Sequence, residues 1–193
     1  MDFSISPLLH FSIASLPSFH QQLNRGRSCM IQVHPNLFVG SQDDYETHCD
    51  EFPAWLVIHA CKEPYHRQAV GYSGRAASKD HPEYLIARRG NRLVLNLVDA
   101  DTPAYIPDEI MDTAVAEIHA ALTRGQQVFV HCNQGHSRSA AIAMLYLGTY
   151  TDVLPRASFE DARTAFAVLY PPFAPAGGML GFLSRRWLLF RQS

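Results

Sequence analysis

Val130-His131-Cys132-Asn133-Gln134-Gly135-His136-Ser137-Arg138-Ser139 is the stretch whose reading decides the fold. The β-favouring run Gln127-Val128-Phe129-Val130-His131 enters it, and residues Ser139 to Gly148, apolar enough for a central helix, leave it. A strand passing through a tight turn into a buried helix is one half of a β-α-β unit. It places the turn at the carboxyl edge of a sheet, the edge where open α/β folds hold ligands.

Outward from this unit, strand and helix signals alternate. Ile31-Gln32-Val33-His34 and Leu37-Phe38-Val39-Gly40 alternate apolar and polar around Pro35-Asn36, which predicts two short strands joined by a tight turn. Asp43 or Asp44 is expected to cap a short helix ending before Pro53. The continuous β-favouring runs Trp55 to Ala60 and Arg92 to Leu97 are of the kind a parallel sheet buries on both faces. Between Asp108 and Arg124, Ile110, Ala114, Val115, Ile118 and Leu122 share one helical stripe, with Pro107 before it and Gly125 after it. Ser158, with Asp161 three residues on, opens a helix through Leu169; Pro171 and Pro172 stop it, and Gly178 to Phe190 form a last one. The segment from Cys61 to Gly90 has no regular pattern, and long structureless loops in compact domains are usually functional or disordered. The alternation predicts an α/β three-layer sandwich with a central, mainly parallel sheet flanked by helices. Residues 30–193 are expected to form it, with residues 1–29 as an N-terminal arm or extra helix.

Cys132 and Arg138 stand six positions apart across the turn. Main-chain N–H groups ahead of a helix, with the positive end of its dipole, converge on one small concavity that suits a phosphate dianion or another oxyanion. Asn133, Gln134, Gly135, His136, Ser137 and Arg138 make up that loop. Gly135 allows the backbone conformation it needs, and Arg138 can grip two phosphate oxygens at once, which a lysine cannot. The same field favours a thiolate at Cys132, since comparable sites lower a thiol to roughly 3.5–7.5. A thiolate facing bound phosphorus is a nucleophile in line for attack. Ser139 is placed to hydrogen-bond the sulfur and ease its departure. His131 reads as a core histidine holding the loop rather than as a base, because a thiolate needs none. His136 reads equally as a substrate contact or a solvated surface residue.

Attack on phosphorus expels an alkoxide or phenoxide, so an acid must protonate it and later activate water. Asp101 is the candidate: it lies 31 residues before Cys132, in the loop Val98-Asp99-Ala100-Asp101-Thr102-Pro103 that leaves the Arg92 to Leu97 strand at the same sheet edge. Asp99, in the same loop, is the alternative.

Composition narrows the rest. The chain has 193 residues, is 47% hydrophobic and has a formal net charge of -2, enough for one core and unsuited to a long polyanion, so no nucleic-acid partner is expected. Four cysteines, Cys29, Cys49, Cys61 and Cys132, show neither disulfide nor zinc spacing, which points to a reducing, cytoplasmic setting with no metal and no cofactor. No apolar run is long enough to span a bilayer, and Asp2 stands where a signal peptide needs positive charge.

The run HCNQGHSRSAAIAMLYL from His131 to Leu147 resembles the signature loop and following helix of dual-specificity phosphatases, within the cysteine-dependent protein-tyrosine-phosphatase superfamily. Val33 to Ser41, the Asp101 loop and Pro172 to Leu183 also fall in that family's order, so the resemblance covers about residues 31–190. It implies a protein-tyrosine-phosphatase-like fold. It also implies metal-free hydrolysis through phosphocysteine, acting on phosphotyrosine and also phosphoserine or phosphothreonine of a phosphorylated protein. The same chemistry on a phosphoinositide, an RNA 5′-phosphate or a glucan is an alternative, as is a catalytically weak phosphate-binding module. Gln134 stands where relatives usually carry Ala, Ala141 where many carry Thr, and Asn133 and His136 where inositol-phosphate enzymes tend to carry Lys. Ala60-Cys61-Lys62-Glu63 resembles a turn of tensin-like lipid phosphatases, which implies Cys61 as a redox partner able to protect the nucleophile as a disulfide. The long loop also offers Tyr65, His66, Arg67 and Arg75 as substrate contacts.

Overall fold

The structure is a computed structural model that describes residues 30–48 and 52–190. The arm at residues 1–29, with Cys29, and the residue Cys49 lie outside the described residues. Six strands form one sheet: β1 Ile31–His34, β2 Leu37–Ser41, β3 Leu56–His59, β4 Ile86–Arg89, β5 Arg92–Leu95 and β6 Val128–Cys132. Their order is β1-β2-β6-β3-β5-β4. Strands β2, β6, β3 and β5 run parallel, and antiparallel β1 and β4 close the two edges. This is the predicted α/β sandwich.

Helices cover both faces unequally. Alternate residues of the central strands, among them Val39, Ile58, Leu93, Leu95 and Val130, join one large core with α3 Asp108–Thr123, α4 Arg138–Tyr150, α5 Phe159–Leu169 and α6 Gly177–Phe190. The opposite face, bearing Val57 and Phe129, has a thin aromatic cover of Tyr45, Phe52 and Trp55 with α1 Gln42–Thr47. Strand β6 is buried along its full length, as a strand packed on both faces must be. α4 is buried from Arg138 to Gly148, consistent with its nearly unbroken apolar run.

Two expectations are corrected. The cap of α1 is Ser41, not Asp43 or Asp44: the Ser41 side chain accepts from the Asp44 main chain while the Asp44 carboxylate accepts from the Ser41 N–H at 2.7 Å, a reciprocal capping box. Residues 61–90 are not structureless either. They contain an irregular helical turn at Lys62–His66, α2 Arg67–Val70 and the edge strand β4. β4 escapes periodicity because Arg88 and Arg89 point outward from a sheet edge, where they pair with Glu117 and Glu83 at 2.6 Å each.

Candidate active site

The carboxyl ends of β2, β6 and β3 meet at Cys132, where β6 passes into the loop 133–137 and then α4. Gly135 sits at φ 83, and a Cβ there would lie 3.0 Å from the Gly40 carbonyl carbon and 3.1 Å from Ser41 N. Both the positive φ and the approach to β2 therefore require glycine. Among the described residues, no main-chain N–H from Asn133 to Ser137 donates to a protein acceptor, and α4 begins directly behind them. Donors facing a helix N-terminus without protein partners form an anion nest. The loop's outer side is pinned: Tyr170 donates from its hydroxyl to the Gly135 carbonyl at 3.0 Å, and Ala174 N–H to the His136 carbonyl at 2.9 Å.

Cys132 is 1% exposed, and Ser139 Oγ lies 3.3 Å from its sulfur, as the sequence suggested. Arg138 is buried at the loop's far end. Its Nη1 donates to the Leu97 carbonyl at 3.3 Å and its Nη2 to Asn133 Oδ1 at 2.8 Å, while its buried Nε has no hydrogen-bond partner. Asn133 in turn donates to Gln42 Oε1 and the Glu63 carbonyl, tying the guanidinium to α1 and the Lys62–His66 turn. Sequence reasoning missed Gln42, Leu97 and Tyr170 as loop supports, because only long-range pairing brings them there.

The two aspartates of the 98–103 loop are placed differently. Asp99 accepts from Ser137 Oγ at 2.7 Å and lies 3.9 Å from Arg138 Nε. Asp101 is exposed and makes no hydrogen bond or ion pair with any described residue. The loop is held against α6: Gly178 N–H donates to the Ala100 carbonyl at 3.0 Å, and a Cβ on Gly178 would fall 2.2 Å from that oxygen. Most of the long-loop candidates serve the loop itself. Tyr65 packs on His59, His66 Nε2 donates to the Glu83 carbonyl, and Arg67 pairs with Glu63; Arg75 is exposed. Gln134 is exposed at the mouth, and His136 is half-buried with Nδ1 3.3 Å from the Ala174 carbonyl. Cys61 is fully buried, and burial pushes its thiol up to about 12, with the nearby charges of Arg138 opposing and Cys132 adding to the rise.

Beside Cys132, His131 Nε2 meets His59 Nδ1 at 2.6 Å. Burial lowers His131 to about 3, aided by the charge of Arg138, and His59 to about 2, aided by His131 and Arg92. Folded, both rings are neutral; unfolded, each returns to 6.5. As pH falls from 6.5 toward 3 the unfolded chain takes up protons that the folded chain does not, so stability present above 6.5 drains away at about 1.4 kcal/mol per pH unit for each ring. Urea midpoints between pH 6.5 and 4 are expected to fall with acid, and His59→Asn to reduce that slope by about one ring's share. An identical slope in the variant would contradict a buried neutral pair.

Residues 76–160 match the family described as dual specificity phosphatase, catalytic domain. Dual specificity protein phosphatase 1-B of Xenopus laevis is 36% identical over 72 residues, 37% of this chain, and the match spans 20% of that relative's length. Human DUSP28 shares the fold with a TM-score of 0.58 at 19% identity over 85% of this chain and 95% of that one. A mouse putative dual specificity phosphatase complexed with zinc tungstate does so at 0.56 and 19%, over 94% and 96%. PTPMT1 in complex with PI(5)P does so at 0.54 and 19%, over 84% and 97%. The chain thus has the fold of these dual-specificity phosphatase structures, and its residues 76–160, which carry the Cys132 loop and α4, are similar in sequence to that family's catalytic domain.

Proposed function

We propose that this chain is a phosphatase that hydrolyses phosphomonoesters in two steps at Cys132, with phosphotyrosine in proteins as its main substrate and phosphoserine or phosphothreonine as further ones. The observation that carries this is Arg138: both Nη atoms are anchored, and its buried Nε has no hydrogen-bond partner, only the Asp99 carboxylate at 3.9 Å, beside loop N–H groups that have no protein acceptor. A buried guanidinium N–H with no hydrogen-bond acceptor is costly unless an oxyanion takes it. In the first step Cys132 sulfur bonds to phosphorus as the ester P–O bond breaks, and the leaving oxygen takes a proton from the Asp99 carboxyl. In the second, water attacks phosphocysteine and gives up its proton to the same carboxyl, inorganic phosphate forms, and the sulfur departs as thiolate with the Ser139 hydroxyl beside it. Asp99, not Asp101, is the acid in this proposal, because its carboxyl already lies at the loop.

The loop's own side chains favour a single phosphate on a protein. Asn133, Gln134 and His136 bring no fixed cation to the mouth, whereas a multiply phosphorylated headgroup asks for several. The fold neighbour bound to PI(5)P makes phosphoinositides the second reading. Phosphopeptides, phosphoinositides and a small aryl phosphate assayed side by side separate them. Turnover confined to the phosphoinositides would overturn the protein reading, and no turnover of any would overturn the enzyme.

Cys61 is proposed as a redox partner. Peroxide oxidises the Cys132 thiolate to a sulfenic acid; the Cys61 thiol then forms a disulfide with it and water leaves. Its high value makes Cys61 a slow partner, because little thiolate is present to attack. After mild peroxide, peptide mass spectrometry is expected to find Cys61 bonded to Cys132 and activity restored by dithiothreitol. Recovery of Cys132 only as sulfinic or sulfonic acid removes the role.

A further inference from the structure

We propose that His59 is a positioning residue for this site: through His131 it fixes the tautomer and orientation of the imidazole beside the nucleophile, and so keeps Cys132 in its attacking form. This rests on the reading of Cys132 as the nucleophile.

The contact is imposed by the sheet. His59 and His131 are 72 residues apart in sequence but are register partners across β3 and β6, which sets their rings edge to face with centroids 4.7 Å apart. Neither ring is free to turn. Tyr45 lies parallel to His131 at 4.9 Å and edge-on to His59 at 4.8 Å, and Tyr65 stacks on His59 at 4.2 Å and meets His131 edge-on at 5.1 Å. The exposures of His59 and His131 are 1% and 0%, so water offers the two facing nitrogens no alternative partner.

A single proton lies between the two facing nitrogens of a neutral pair, in one of two senses. If His131 donates from Nε2, its Nδ1 is a bare acceptor in a buried place where no donor meets it. If His59 donates from Nδ1, His131 carries its proton on Nδ1, which has no acceptor within hydrogen-bond distance but is acted on by the adjoining main chain of Cys132, a group that favours a proton there. His59 then keeps a bare Nε2, which suits the side of a cleft of about 310 Å³ that His59 lines with Gln68, Arg89 and Arg92. The second sense is the one in which the Cys132 main chain favours the His131 proton. It gives a directed chain from the Arg92 side through His59 and His131 to Cys132, holding the start of the phosphate loop by a group that contacts no substrate. Tyr45, Tyr65 and Arg92 are the other titratable groups facing His59.

Alkylation of Cys132 by iodoacetamide reads the thiolate without turnover. At pH 6, His59→Leu is expected to slow it about tenfold, with the gap closing near pH 9, and to lower kcat on an aryl phosphate with KM little changed. His59→Asn, whose amide can sit where Nδ1 does, is expected to restore the rate to within about threefold of the parent. Parent-like alkylation at pH 6 in a folded His59→Leu would overturn the proposal. Should that variant not fold, long-range 15N NMR of the unaltered protein decides: a proton on His131 Nδ1 supports the chain, and one on Nε2 overturns it. Alkylation that shifts with His59 in a protein that hydrolyses no phosphoester would instead fail the phosphatase reading alone.

Discussion

Cys132→Ser is expected to lower kcat on a small aryl phosphate by roughly 10⁴-fold or more, the scale seen when a covalent nucleophile is removed. A serine hydroxyl in the same position is not ionised at neutral pH, so the S–P bond-forming step has no counterpart. Binding should survive. The loop N–H groups, Gly135 and Arg138 are untouched, and serine is smaller than the cysteine it replaces in a site that is 1% exposed. Inorganic phosphate or tungstate should therefore bind the variant within a few-fold of the parent by calorimetry, while turnover is lost. Parent-like turnover in the variant would refute covalent catalysis; loss of both turnover and binding would mean that the sulfur holds the loop rather than attacks.

The second large effect distinguishes two neighbouring carboxylates. Asp99→Asn is expected to lower kcat by about 10²–10⁴-fold, as loss of a general acid does, and Asp101→Asn to change it by less than about threefold. The Asn side chain retains an oxygen for Ser137 Oγ, so the contact now made at 2.7 Å persists and the loss reports the proton, not the position. Two signatures follow. The limb of the kcat profile that needs a protonated acid should disappear in Asp99→Asn, and its deficit should shrink on esters whose leaving groups are already acidic. The opposite ranking, with Asp101→Asn the slow variant, would return the role to the residue that spacing and resemblance together favour. It would require the 98–103 loop to swing Asp101 inward from its exposed position.

Asp99 and Asp101 also show where sequence reading stops. Both stand just past the Leu95 end of β5, at the right edge of the sheet, and the spacing that favours Asp101 does not say which carboxyl reaches the loop. What ranks them is the clamp of Ala100 onto Gly178 and the reach of Asp99 to Ser137, both contacts across more than thirty residues. β4 was illegible for a related reason: an edge strand carries charge outward and lacks the apolar run that marks its buried neighbours. The cap of α1 escapes periodicity because Ser41 also ends a strand, and period alone does not say which element claims it.

By itself, the amino-acid sequence determined the α/β alternation, the buried strands and the helix stripe, and the Cys132 to Arg138 loop ahead of α4. These are local matters, governed by apolar period, turn residues and the need for glycine at Gly135. Only the tertiary structure decided which side chains surround that loop. Asn133 braced by Gln42, Arg138 held by the Leu97 carbonyl, Tyr170 on Gly135 and His59 against His131 depend on strand order and register. A hydrogen bond between residues 72 apart leaves no trace in either local sequence, because what creates it is the pairing of β3 with β6.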